Sequence, residues 1–354
     1  MNVLLLACSF ILFTSCLDSI NTGPFLSEGS GTESDPYRIS TIEQLQAIDQ
    51  DGNLWVGVGG PVLDGQNSVN RAFDGGLKEN SISWIEIRNY SSHGIYTASY
   101  NNEEIEIRNM TFKNIAPNQD GQEHGAIMIL NSKEIEVRNS YFEDVASSIR
   151  IRDSEGPINV LDNEALNTGR NFFQCDKCTG DNIKINGNSL DRTSSYGSAV
   201  LEDWISIYES EGTSSSWIQV KNNRARGHDG SQWGSFLILG DNGGKYQEAA
   251  GNIGVNPGQA GIGAAGGHDV IVEDNKMYGE QWTHSNVAFY SAKFSSTCGN
   301  HSFPASPANV ANWTNKDGIL NRAWSDGNCG ISNTQIRNNV VEDTNMDESI
   351  WNDW

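Results

Sequence analysis

The sequence predicts an all-β protein that folds as a right-handed parallel β-helix, a single-stranded solenoid of stacked coils. The first reason is a repeated phrase of alternating apolar residues that ends in Asn, with most copies 20 to 35 residues apart; such a period is typical of stacked repeats. The second is a turn-dense composition, with 37 glycines and 8 prolines. The copies are Ile85–Asn89, Ile105–Asn109, Ile135–Asn139, Ile158–Asn163, Ile183–Asn188, Ile218–Asn223, Val270–Asn275 and Thr334–Asn339.

Each copy reads as a short strand whose alternate apolar side chains point inward. The Asn at its end suits a turn, because Asn tolerates the left-handed backbone conformation. Parallel stacking places these residues over one another, so we expect their side chains to hydrogen bond from coil to coil. A second class of strand alternates with the first, at Gly94–Ala98, Ala126–Leu130, Ser148–Asp153, Glu202–Ser210, Ser235–Leu239 and Val287–Ala292.

The N-terminus predicts export. Residues 1–16 read as a signal peptide, because the apolar run Val3–Phe13 is too short to span a bilayer and small residues follow it. The sequence Phe-Thr-Ser-Cys that ends at Cys16 resembles the lipobox of bacterial lipoproteins. That resemblance implies lipidation of Cys16 and an outer-membrane anchor at the cell surface or in the periplasm, whereas ordinary cleavage nearby would release a secreted protein. Residues 17–35 read as a flexible tether, and residues 36–354 as the β-helix.

A short cap helix is predicted before the first coils. Ser40–Glu43 is a capping box, and apolar residues at helical spacing follow it, so we expect a helix over Ile42–Asp49 that covers the open end of the solenoid. The stretch Gly31–Leu45 resembles the start of many exported bacterial β-helix proteins, and the periodicity over residues 31–344 resembles the pectin-lyase-like superfamily. This resemblance implies the fold but no catalytic residues, since the sequence lacks the signature motifs of its known enzyme families.

The formal net charge of −22 argues against nucleic acid as a partner, because binding to phosphates needs clustered Lys and Arg. The acidic residues can form a solvated surface, or some of them can bind Ca²⁺. We expect a monomer whose partner is an acidic polysaccharide.

Four cysteines follow the signal peptide. Cys175 and Cys178 form a CxxC pair that reads as a tight disulfide or two thiols, with a redox site or half of a zinc site as the alternative. Cys298 and Cys329 bracket the irregular insertion from 293 to 331, and a disulfide between them would order it.

The second class of strand carries the candidate binding residues. If Ile149 and Ile151 point inward, the arginines beside them face solvent, and the same alternation places an indole and phenols outside. Guanidinium and aromatic groups suit an anionic sugar, although a sheet must expose something, and the indoles can instead pack in turns or in the core. The predicted substrate-binding residues are Arg150, Arg152, Trp204, Tyr96, Tyr290 and, from a glycine-rich turn, His268.

Two chemistries fit the ionisable residues nearby. In β-elimination, an Arg or Ca²⁺ neutralises a uronate, His228 or Lys245 or an Arg removes the C5 proton, and Tyr208 protonates the leaving oxygen. In hydrolysis, two carboxyl groups flank the bond, and Glu202 or Asp203 would act with Asp241. The sequence favours a polysaccharide lyase, with a glycoside hydrolase or a non-catalytic glycan-binding surface protein as alternatives.

Overall fold

The computed structural model describes residues 29–30, 32, 34–39, 54–57, 60–77, 79–97, 102–192, 196–197, 199–227, 235–256, 260–279, 287–291, 332–339 and 345–354. The predicted signal peptide with Cys16, the cap helix Ile42–Asp49, and the pair Cys298 and Cys329 lie outside these residues, so those predictions stay predictions. No helix among the described residues is long and apolar enough to cross a membrane.

Three parallel sheets contain the strands. Sheet A has β1 (Tyr37–Ile39), β2 (Leu54–Gly57), β5 (Ser81–Ser83), β8 (Asn102–Arg108), β11 (Ser132–Arg138), β14 (Glu155–Leu161), β17 (Ile183–Asn186), β20 (Ile218–Lys221), β23 (Lys245–Ala250), β26 (His268–Glu273) and β29 (Ser332–Arg337). Sheet B has β3 (Val62–Asp64), β6 (Glu86–Tyr90), β9 (Thr111–Ile115), β12 (Tyr141–Val145), β15 (Glu164–Leu166), β18 (Ser189–Asp191), β21 (Arg224–Arg226), β24 (Ile253–Val255) and β27 (Lys276–Tyr278). Sheet C has β4 (Arg71–Asp74), β7 (His93–Thr97), β10 (Gly125–Leu130), β13 (Ile149–Arg152), β16 (Phe173–Asp176), β19 (Ile205–Tyr208), β22 (Ser235–Asp241), β25 (Ala260–Ala264) and β28 (Val287–Ser291).

The chain visits sheets A, B and C in turn, and each strand pairs in parallel with the strand one coil away. The predicted right-handed parallel β-helix is therefore confirmed. Its core is a continuous column of stacked apolar side chains; Ile107 of β8, for example, lies in register with Val137 of β11, which is followed by Val160 of β14. Each such buried side chain contributes roughly 1.5–3 kcal/mol of hydrophobic stabilisation.

The corner between sheets A and B explains the repeated Asn. Two adjacent rows of residues run along this corner. The first row has left-handed backbone, with φ between 49° and 69° at every position, and its members are Trp84, Asn109, Asn139, Asp162, Gly187, Asn222, Gly251, Asp274 and Asn338.

The second row is the buried one, and in the later coils it is an asparagine ladder. Each Asn except the last donates from Nδ2 to Oδ1 of the Asn in the next coil, at 2.9–3.0 Å, which confirms the predicted bonding between coils for these copies but not for Asn109 and Asn139. The ladder consists of Asn163, Asn188, Asn223, Asn252, Asn275 and Asn339.

One predicted copy of the repeat is in the wrong place. Ile85–Asn89 has the same letters as Ile105–Asn109, yet most of it forms β6 in sheet B, whereas Ile105–Arg108 lies in β8 of sheet A. The residue in register with Ile107 is Ile82 of β5. The misassignment arises because inward apolar residues alternate in the same way in both sheets.

A 3-10 helix, Glu348–Asp353, packs on the outer face of sheet B at the C-terminus. Its Ile350 is buried against Ile253 and Val255 of β24. The guanidinium of Arg224 lies 4.2 Å from the ring centre of Trp351 and 4.4 Å from that of Trp354. These cation–π contacts fix the C-terminus to the solenoid.

Candidate functional site

The outer face of sheet C carries most of the predicted site residues. Strand register places Tyr96, Arg150 and Tyr290 in one row along this face, and Arg152 and Tyr208 in the neighbouring row. Asp241 continues the second row after a register shift between β19 and β22. The prediction that these distant residues share one face is thus confirmed at the level of the backbone.

The arginines of this face are covered. Arg150 was predicted to project to solvent, but its side chain is only 10 % exposed, because its guanidinium pairs with Asp176 at 2.9 Å and donates to the carbonyl of Gln122. Arg152 pairs with Glu123 at 3.0 Å. Glu123 comes from the loop between β9 and β10, which overhangs the sheet. Both guanidinium groups are therefore already paired with carboxylates, Arg150 in a nearly buried setting and Arg152 with 28 % of its side chain exposed.

Two of the predicted aromatic platforms are also occupied or buried. Trp204 is 1 % exposed and belongs to the core, so its predicted outward orientation is wrong. A bend at Trp204, directly before β19, breaks the alternation on which that prediction rested. The guanidinium of Arg71 lies over the ring of Tyr96, 3.8 Å from its centre, and the ring of His93 is tilted against it with 4.7 Å between centres. One face of the Tyr96 ring is therefore already occupied.

The predicted base Lys245 and the predicted substrate-binding residue His268 do not join this face. Lys245 begins β23 of sheet A and pairs with Glu211 at 3.0 Å. His268 begins β26, the next strand of sheet A, and its Nδ1 lies 2.6 Å from Asp269. His228 is outside the described residues. Of the predicted bases, Lys245 therefore does not share the face of Tyr208, whereas the alternative of an arginine base has Arg152 in the same row.

Carboxyl groups do converge on this face. Glu202 and Asp203 stand in the connection between β18 and β19, and Asp241 ends β22. Asp203 is held by a hydrogen bond from the backbone N–H of Ser235 to its Oδ1, at 2.7 Å. Glu202 is fixed by an ion pair of 2.5 Å with Arg170. Each is therefore held in one orientation by a neighbouring coil.

Burial and neighbouring charges raise the pKa of both aspartates in the cluster. Burial, and then the charges of Asp241 and Glu202, raise the pKa of Asp203 to about 8. Burial, and then the charge of Glu202 followed by those of Glu209 and Asp176, raise the pKa of Asp241 to about 7. Carboxyl groups normally titrate near 4. Near neutral pH Asp203 is therefore mainly protonated, and Asp241 is the more readily ionised of the two.

Tyr208 borders the same cluster. Its hydroxyl oxygen accepts a hydrogen bond of 3.1 Å from the side-chain amide of Asn242. Burial, and then the nearby charge of Glu209, raise the pKa of Tyr208. The phenol therefore stays protonated through neutral pH and can donate a hydrogen bond to a ligand, but it is a poor base.

The CxxC pair is structural. Cys175 and Cys178 form a disulfide that is buried at the end of β16, which confirms the disulfide alternative. Within the described residues, no group of three or more His, Cys, Asp or Glu side chains is arranged to hold a metal ion.

Comparisons with known proteins identify distant relatives in fold. No protein-family model matches this chain, and neither does any curated protein. The DFA-IIIase of Arthrobacter chlorophenolicus A6 is 14 % identical, with a TM-score of 0.40 over 80 % of this chain and 71 % of that one. The lacto-N-biosidase of Eubacterium ramulus is 10 % identical, with a TM-score of 0.41 over 88 % and 65 %. The surface adhesin PfbA of Streptococcus pneumoniae is 12 % identical, with a TM-score of 0.39 over 85 % and 90 %. These likenesses are too distant to transfer an activity.

Sequence reasoning missed the partners that shape the site. Asp176, Arg170 and Glu123 each neutralise or orient a predicted residue that is 26 to 32 positions away in the sequence. The signal that could have found Asp176 is the stacking of β13 on β16, which places it in register with Arg152. Glu123 and Arg170 stand in connections, where the repeat gives no register.

Proposed function

We propose that this protein is a glycoside hydrolase whose acid–base pair is Asp203 and Asp241. The observation that carries the proposal is the raised pKa of both carboxyl groups in one cluster on the outer face of sheet C. Glycoside hydrolysis requires one carboxyl group that holds a proton and a second that is ionised. This arrangement supports hydrolysis over β-elimination, because Arg150 and Arg152 are already paired with carboxylates and the predicted base Lys245 lies on sheet A.

In the proposed mechanism, Asp203 has the higher pKa and donates its proton to the glycosidic oxygen. Asp241, the more readily ionised of the two, activates a water molecule or attacks the sugar directly. Tyr208 donates a hydrogen bond to the substrate. Because the arginines are already paired and the remaining charge is negative, a neutral glycan fits this face better than the acidic glycan expected from the sequence.

The activity test is an incubation with a panel of neutral and uronate-containing polysaccharides. We expect new reducing ends from a neutral glycan, without absorbance from an unsaturated uronate product. An unsaturated product would instead identify a lyase, and binding without any product would identify a non-catalytic protein. Either outcome would overturn the proposal.

A pH profile tests the roles of the two aspartates. The rate of hydrolysis plotted against pH should be bell-shaped, with its maximum between the pKa values of Asp241 and Asp203, about 7 and about 8. The charge of Glu202 raises both pKa values, so Glu202→Gln should lower both and move the whole bell toward acid pH. The matched variant is Glu209→Gln, since Glu209 acts on Asp241 and not on Asp203. It should move the acid limb alone and broaden the bell. A bell that stays in place in both variants would exclude this cluster as the origin of the pH dependence.

A further inference from the structure

The residue at the start of the left-handed row, Trp84, is unlike all the others. Its φ is 63°, and its side chain is 58 % exposed. The eight residues in register with it along the corner between sheets A and B are Asn, Asp or Gly, which adopt this conformation readily. A bulky aromatic residue at positive φ is a true outlier, and such strain is retained mainly at functional positions.

A groove of about 400 Å³ adjoins the exposed indole. Its walls include Val62, Tyr141, Asn109 and Asn139. Burial, followed by nearby carboxylates, raises the pKa of Tyr141, so its hydroxyl stays protonated and can donate a hydrogen bond. The groove thus combines one flat apolar surface with several neutral polar groups and one carboxylate, Glu86, which is already paired with Arg88 at 3.2 Å.

The amides of this groove are available to a ligand. Among the described residues, the side chains of Asn109 and Asn139 make no hydrogen bond. The asparagines with left-handed backbone in sheet B behave differently. The side-chain amide of Asn114 donates to that of Asn89 at 2.7 Å, and Asn89 donates to Asp64. The amides beside Trp84 therefore do not link coils, although their geometry in the fold is similar.

We infer that Trp84 and the groove beside it bind a neutral saccharide. The indole would stack on the apolar C–H face of a pyranose ring, and the side-chain amides of Asn109 and Asn139 would hydrogen bond to its hydroxyl groups. These residues lie one and two coils from Trp84, at steps of about 4.8 Å, which is close to the advance per sugar unit in an extended polysaccharide. The groove therefore suits a glycan chain that runs along the solenoid axis.

This site is separate from the carboxyl cluster, because it lies at the corner between sheets A and B, whereas the cluster lies on the outer face of sheet C. The inference does not depend on Asp203 and Asp241 being catalytic. A polar groove with a single exposed indole also favours a sugar over a protein partner, whose interface would need a larger apolar core.

The test is affinity electrophoresis of the natural protein (called the full chain below) and of its Trp84→Asn variant in gels that contain soluble β-glucan, xylan or galactomannan. We expect at least one of these neutral polysaccharides to retard the full chain, and Trp84→Asn to bind it at least about fivefold more weakly. The variant should also melt about 1–3 °C higher, because Asn relieves the backbone strain. That increase separates lost binding from misfolding.

The matched control is Trp354→Ala, which removes another exposed indole. Its ring packs on Arg224, and its Nε1 donates to the carbonyl of Asn222, so this variant should melt at a lower temperature and bind as the full chain does.

No retardation of the full chain, or equal retardation of Trp84→Asn, would overturn the inference. A changed oligomeric state of Trp84→Asn with unchanged glycan binding would also overturn it, and would identify a protein interface. Trp84→Asn should still release reducing ends from short oligosaccharides, which keeps this result distinct from a failure of the proposed hydrolase activity.

Discussion

Replacing Asp203 with Asn should abolish glycan hydrolysis and at the same time make the protein more stable at neutral pH. The loss of activity follows from the loss of the proton donor, which is worth about 10²–10⁴-fold in rate. The gain in stability follows from the raised pKa of Asp203, about 8 against 3.8 for the free side chain. The folded protein binds this proton more tightly than the unfolded chain does, so the unfolding free energy falls as the pH rises from about 4 to about 8.

Asn is nearly isosteric with Asp and keeps the oxygen that accepts from the Ser235 N–H. Asp203 has to take up a proton when the protein folds at pH 7, whereas Asn does not, so the unfolding free energy at pH 7 should rise by on the order of 2–4 kcal/mol. The difference from the natural protein should shrink as the pH falls toward 4 and disappear below it, where Asp203 is protonated in both states. Chemical denaturation at pH 4, 7 and 8, together with a reducing-end assay, measures both effects.

Asp176→Asn is the matched control. This carboxylate lies in the same cluster but is paired at 2.9 Å with Arg150, which is almost completely buried. Removing its charge leaves the guanidinium with only the more distant and more exposed Glu123, at 3.4 Å, so the variant should be less stable by about 1–3 kcal/mol at pH 7. If both variants destabilise the protein equally, the cluster is a structural ion-pair network, and the proposed acid–base pair is wrong.

The fold could be predicted from the sequence because the signal is repeated in every coil. An inward residue such as Ile107 meets an equivalent apolar residue above and below, so the periodicity reports the packing directly. The same redundancy explains the error at Ile85–Asn89. Alternation identifies a strand but does not say which of the three sheets contains it.

The site was predictable only in part, because alternation fails at the ends of strands. Tyr208 lies within β19 and was placed correctly, whereas Trp204 precedes the strand at a bend and points into the core. The covering of Arg150 by Gln122 and Asp176 depends on an overhanging loop and on the next coil. The residue types of the carboxyl pair, Asp203 and Asp241, were readable from the sequence. Their raised pKa values were not, since these depend on burial and on charges from other coils.

The asparagine ladder should be the most sensitive structural element of the solenoid, and Asn188→Ala tests it. Asn188 is fully buried. Its Oδ1 accepts from both the backbone N–H and the Nδ2 of Asn163, and its Nδ2 donates to the carbonyl of Val160 and to Asn223. Its Nδ2 also donates to the carbonyl of Asn186. Alanine removes all five hydrogen bonds and takes an acceptor from the buried backbone N–H of Asn163 and a donor from the carbonyl of Val160. We expect a loss of about 3–5 kcal/mol in unfolding free energy.

The control is Asn159→Ala, which removes a half-buried Asn from the outer face of β14 in the same part of sheet A and should change the unfolding free energy by no more than about 0.5 kcal/mol. Because each coil is stabilised mainly by its neighbours, weakening a central coil also uncouples the two halves of the solenoid. Denaturant unfolding of Asn188→Ala, followed by circular dichroism, should therefore broaden or separate into two transitions, whereas Asn159→Ala should keep the natural curve. A single sharp transition displaced by less than 1 kcal/mol in Asn188→Ala would mean that stacked apolar residues alone couple the coils.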